Sequence, residues 1–274
     1  MRTLTQGYDY HNMKRLLSIL LLTTALLPSL QAQDNTIKEA LKSYNRKNDT
    51  LLMTYFKARA NDKQLKELGK DSIPESYRYR VSKVHYSPDN AFKIFVFSGM
   101  VNDGSSIVGF HYSFTQYASG HINENTGFSS IYNITVAGDG NYMITDYDTF
   151  LGGGVQAHIL KLQQYKLKNN DLVLQQLIEN TANVPIELKD FFSKDRKSFL
   201  LALSIDTPFQ DDFITYNAKE KEISYNYISH QGNYPAYIPK ELLPNGKEDL
   251  IVKGSFKLDN GKISGFKEYY EKTL

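Results

Sequence analysis

Cysteine is absent from the 274 residues, and so is tryptophan. The first absence excludes disulfides, a thiol nucleophile, thiolate metal ligation and the cysteine that would carry a bacterial lipid anchor. The second removes the strongest aromatic stacking platform and leaves ring chemistry to 20 Tyr and 15 Phe. An excess of charge of one sign is missing too, with 32 Lys and Arg against 30 Asp and Glu. A phosphate-backbone partner requires a cationic excess or stripe, so nucleic acid is not an expected partner. Nor does any apolar run reach the roughly 20 residues of a spanning helix. The leucine-rich run without charge, Leu16 to Leu27, covers twelve.

That short run has the layout of a cleavable export signal at 13–32. Lys14 and Arg15 precede it, Pro28 breaks it, and Ser29-Leu30-Gln31-Ala32 leads to an expected cut after Ala32. Leu30 is larger than the small residue favoured three places before such a cut. Met1 to Asn12 form a polar stretch that an export signal does not need, so Met13 is the expected start and 1–12 an over-extended reading frame. Removing 1–32 takes away Arg2, Lys14, Arg15 and Asp9, leaving 29 basic and 29 acidic residues. The mature chain is therefore neutral, with no membrane-spanning segment expected in it. Its expected place is the periplasm or the exterior, where a chain without disulfides relies on its hydrophobic core.

Residues 33–74 read as helical. Thr36 and Glu39 are spaced as a capping box, and Ile37, Leu41 and Tyr44 follow on one stripe. Asn48-Asp49-Thr50 reads as a break and a new cap, Asn61-Asp62 as another, and Gly69 as a helix end. Two or three short helices are expected. From 75 to 274 the period becomes two. Tyr77, Tyr79 and Val81 alternate with polar residues, as do Phe110, Tyr112 and Phe114. Asn169-Asn170-Asp171 separates two strand patterns as a hairpin turn would. About ten strands with regular turn punctuation predict a mainly β fold. The expected form is an antiparallel meander, either a sandwich or barrel or, alternatively, a small propeller-like array, preceded by the short helices. A polar Asp turn precedes an apolar strand at Ser87–Phe92, Ala137–Tyr142, Ser193–Phe199 and Leu258–Ile263. The intervals are irregular for a repeat, and any meander reuses such turns.

Gln31-Ala32-Gln33, the Ser87-Pro88-Asp89 turn running into Phe92-Lys93-Ile94, and the closing Gly261-Lys262-Ile263 together resemble uncharacterised exported β-rich proteins of Gram-negative bacteria. The resemblance covers about two-thirds of the chain and rests on turn chemistry. It implies compartment and architecture, not an activity.

Catalytic signatures are scarce. Gly152-Gly153-Gly154-Val155-Gln156-Ala157 fits G-x-G-x-x-A, but a strand pattern follows where a dinucleotide site needs a helix. No P-loop or G-x-S-x-G is present. His85, His111, His121, His158 and His230 show no two-ligand spacing, so neither a metal nor a cofactor is expected. Asp146 and Asp148, two apart, would share one face of a strand and are the candidate catalytic pair. The same spacing also describes a solvated strand end. Tyr225, Tyr227, Tyr234 and Tyr237 cluster near Pro235 and Pro239 and are candidate ligand-binding residues, although Tyr is also a common strand residue. The balance favours a non-catalytic binding or structural module of the cell envelope, with an unidentified glycan, lipid or protein ligand. A carboxylate hydrolase of an envelope or dietary polymer, and an apolar-ligand carrier if the strands close into a barrel, are the alternatives.

Overall fold

A computed structural model describes residues 32–102, 107–124, 126–152, 155–204, 212–230, 238–243 and 249–272. Residues 13–31 of the expected export signal, Tyr234 and Tyr237 lie outside them. The chain divides into two compact units, 1–55 and 56–274.

In the first unit, helix α1 is described over 32–42. Thr36 is not its cap. The Thr36 hydroxyl donates to the Ala32 carbonyl at 2.8 Å, a bond made inside a helix, because the helix already runs through Ala32. Asn45 caps a short 3-10 turn, Arg46–Asn48, by accepting the Lys47 amide. Helix α2, Asp49–Glu67, whose residues from Phe56 on belong to the second unit, runs for 19 residues without the expected break at Asn61-Asp62. The Asn61 side chain is used elsewhere, accepting the Tyr79 amide at 3.0 Å. Gly69 ends the segment as expected. At φ +60 it takes the left-handed conformation, and Lys70 bonds back to the Leu65 carbonyl.

The second unit is mainly β, in three antiparallel sheets, none closed into a barrel. The first holds β1 (Val81–Tyr86), β2 (Phe92–Asn102), β3 (Ile107–Tyr117) and β4 (Ile122–Glu124) in chain order. The second runs β5 (Ile131–Gly138), β6 (Asn141–Gly152), β7 (Val155–Lys168) and β8 (Asp171–Leu174), with β9 (Ser198–Ser204) also paired to β7. The third runs β10 (Ile214–Asn217), β11 (Glu222–Ser229), β12 (Leu250–Asp259) and β13 (Lys262–Lys272). β5 lies against both β1 and β10, so the first strands of the three meanders are neighbours.

Strand alternation decides what each face meets. On the second sheet Tyr142, Ile144 and Tyr165 join Phe92, Ile94 and Val96 of the first. Met143, Leu160 and Leu162 on the opposite face join Ile223, Tyr225, Val252 and Phe256 of the third. The second sheet is thus buried on both faces. The outer face of the first sheet is covered by Phe56, whose ring stacks on Phe114 at 4.5 Å, and by fully buried Ala60.

Two sequence expectations change. The Tyr77 alternation is not yet strand, because Glu75–Tyr77 forms a 3-10 turn after Pro74 and Tyr79 packs edge-on against Phe110. The echoed turns have more in common than their spacing implies. Ser87 and Ser193 each accept the amide five residues on through the hydroxyl and bond the same residue backbone to backbone. Asn90 and Arg196 take the same left-handed φ, 59 and 58. Strand β7 and not a helix follows the glycine motif, with Gly152 paired to Val155; Gly153 and Gly154 lie outside the described residues.

Candidate functional site

Asp146 and Asp148 do project from one face of β6, as their spacing predicts. Their surroundings differ. Asp146 is 3% exposed, and its carboxylate accepts the Ser130 amide at 2.6 Å and the Ser129 amide at 3.1 Å. It is no solvated strand end. Burial pushes its pKa up to about 6, against the two amides and nearby Lys161, which favour the charged form. Asp148, nearer the strand end, is ion-paired with Lys161 from the facing strand β7. Burial raises its pKa, but the hydrogen bonds from Lys161 and Ser129 and the charge of Lys161 outweigh this and hold it below the ordinary carboxylate value.

His111 of β3 reaches the same cluster. Packing around its ring lowers its pKa although the residue remains exposed, and Lys161 adds to the lowering. Asp148 and a bond to the Ser129 backbone act the other way. The arrangement fastens residues 129–130 between two sheets. It offers no open carboxylate to a substrate at Asp146.

Tyr225 and Tyr227 are 1% and 5% exposed and lie inside the core between the second and third sheets, not on a binding surface. The Tyr225 hydroxyl donates to Glu268, which also accepts from Tyr270. Burial and that carboxylate push the Tyr225 pKa upward. Gly254 faces the ring, and any Cβ there would overlap it.

A cleft of about 280 Å³ lies elsewhere, where β4 faces β7 and β8. Ile122, Asn123, Glu124, Thr126, Phe128, Tyr165, Asp171 and Leu172 line it. Its wall is stitched in place. Thr126 bonds to Ser113 and Thr115, the Phe128 amide donates to the Ser113 hydroxyl, and Asp146 holds the next two amides. The Phe128 and Tyr165 rings meet at 5.4 Å beneath it. At its rim the Asn123 amide donates to Asp171 at 2.8 Å. The Tyr117 hydroxyl accepts from Asn123 and from the Leu172 backbone. Its pKa is raised to about 12, chiefly by burial and also by Asp171. Arg59 grips Glu124 from α2.

None of these lining residues stands out in sequence. Asp171 reads only as a turn residue, and Ile122 to Phe128 has no periodicity; a Ser/Thr-rich stretch at Ser113, Thr115 and Thr126 is the one weak signal of a polar seam. Among the described residues, no group of three or more His, Asp and Glu side chains is placed to hold a metal ion, and no helix is long and apolar enough to cross a membrane. No protein-family model matches this chain, and no curated protein shows significant similarity to it.

Proposed function

We propose that the protein is an exported, non-catalytic binding module of the cell envelope, with its ligand site in the cleft between β4 and the β7–β8 edge. The observation that carries the reading is the construction of that cleft. Thr126, Phe128 and Asp171 are each held by hydrogen bonds from neighbouring elements, so the recognition groups are positioned before a ligand arrives. Export rests on the leader pattern at 13–32.

One observation favours the hydrolase reading instead. The pKa values of Asp146 and Asp148 are displaced in opposite directions, which is how an acid and a base divide their work. Against it, both Asp146 oxygens already accept backbone amides and the side chain is closed to solvent. The carrier reading needs a closed barrel, and the three sheets are open.

Thermal denaturation of the mature chain with panels of amines, sugars, carboxylates and fatty acids tests the proposal. At least one class is expected to raise the melting temperature of the wild type and to lose that effect in Ile122→Trp, which fills the cleft. Hydrolysis of a polymer substrate that disappears in Asp146→Asn would transfer the function to the acid pair. Fractionation of expressing cells tests export. A product beginning at Gln33 outside the cytoplasm is expected, and an intact cytoplasmic chain would overturn it.

A further inference from the structure

Resting on the binding reading above, we infer that the cleft between β4 and β8 takes a small organic cation, an ammonium or guanidinium group on a short apolar stem. The lining is one-sided in charge. Glu124 and Asp171 stand on it from opposite strands, and no Lys, Arg or His is among the lining residues. An anionic ligand would therefore meet two carboxylates with no counter-charge inside the cleft.

The neutral alternatives fit less well. A sugar uses an aromatic ring face as a platform, but Phe128 and Tyr165 are 2% and 9% exposed and present little of their faces. A lipid chain needs a long apolar channel, and about 280 Å³ lies just below the roughly 300–1,000 Å³ of sites for drug-sized ligands. An ammonium group needs no ring face, only the carboxylates at the rim. Ile122 and Leu172 supply apolar contact for its stem.

The two acids are not equivalent. Arg59 already shares Glu124. Asp171 accepts from Asn123 through Oδ1 and interacts with the Tyr117 hydroxyl; both partners are neutral, so its charge makes it the stronger candidate acceptor. The cation has two possible sources, a free small amine or the Lys or Arg side chain of a protein partner.

Isothermal titration calorimetry on the mature chain tests this with n-butylammonium, agmatine and an acetylated, amidated Ala-Lys-Ala peptide, using n-butanol as the neutral control. Saturable binding of at least one cationic probe is expected, with n-butanol at least tenfold weaker. Asp171→Asn should weaken the cation at least tenfold and Glu124→Gln only a few-fold. The Asn side chain keeps an oxygen for the Asn123 amide, so this variant retains the hairpin, and a melting temperature near that of the wild type checks it. Tighter binding of the free amines assigns a small-molecule source, and tighter binding of the peptide assigns a protein partner. Failure of every cationic probe, or an affinity unchanged by Asp171→Asn, overturns the inference. If a neutral sugar or a fatty acid then binds in an Ile122-dependent way, the cation assignment falls while the binding module stands.

Discussion

Between the second and third sheets, 22 buried apolar residues among those described form one core, centred on a group of rings from Phe191, Phe192, Phe199, Tyr225 and Phe256. Between the first and second sheets only ten do so. Polar groups fill the remainder: Asp146 with its two amides, the Lys161–Asp148 pair, and the Ser113–Thr126–Thr115 chain. Rings packed at 5–6 Å leave no space and need no specific partner. A polar seam must satisfy each donor and acceptor, which fixes geometry and leaves a cleft where the two sheets diverge. The two seams divide the labour. One seam supplies stability, and the other supplies a positioned surface.

The largest effect expected from breaking that contrast comes from the apolar seam. Phe199 is fully buried and touches four other rings. Phe199→Ala should cost about 3–5 kcal/mol, read as a lower urea midpoint. A loss under about 1 kcal/mol would mean that this core is not the main source of stability.

The next effect concerns the sign of the pH dependence in the polar seam. Asp146 has a pKa of about 6 when folded, above the roughly 3.9 of an unfolded Asp. The folded chain holds that proton more tightly, so this contribution to stability is full below about pH 3.9 and lost as pH rises through about 6. His85 is the reverse. Burial, helped by Lys83, lowers its folded value to about 4, so stability grows as pH rises from about 4 to about 6.5. His111 and His158, both also lowered, add to the sign of His85.

These opposed contributions flatten the wild-type profile. Asp146→Asn should therefore gain stability as pH rises from 4 to 6.5, whereas His85→Asn should gain less than the wild type or lose stability. The Asp146 part amounts to about 3 kcal/mol across that window. Urea midpoints at pH 4, 5, 6 and 7 for the three proteins check both signs. Parallel profiles would show that neither group is tied to folding.

The smallest effect sharpens the contrast. Lys161 and Asp148 keep 30% and 35% of their side-chain surfaces exposed. Lys161→Met should change stability by at most about 1 kcal/mol at pH 7 while raising the Asp146 pKa further. Carboxyl titration by NMR reads the second change. A large stability loss without that shift would mean that the pair is a structural anchor after all.

The legible part of the fold follows from period. Strand β3 holds the Phe110–Phe114 alternation, β7 and β8 flank the Asn169-Asn170 turn, and β2, β6, β9 and β13 follow the polar Asp turns, because those residues pack on a pleated face whichever sheet they join. The helix break at Asn61 failed because the Asn61 side chain caps the turn around Tyr79 rather than its own helix. Sequence distance hides such a partner.

A cysteine-free chain with a leader pattern, a helical start and antiparallel meanders is legible from residues alone, since each depends on local composition and spacing. So is the placing of Asp146 and Asp148 on one face. Only the tertiary structure decided that β1–β4, β5–β9 and β10–β13 are separate sheets and that Asp146 is sealed by amides 16 and 17 residues away. Only it put Tyr225 in a core and joined Asn123 to Asp171 across 48 residues to frame a cleft. Burial and the partners of a polar group come from chain segments brought together by packing, and no local pattern carries that information.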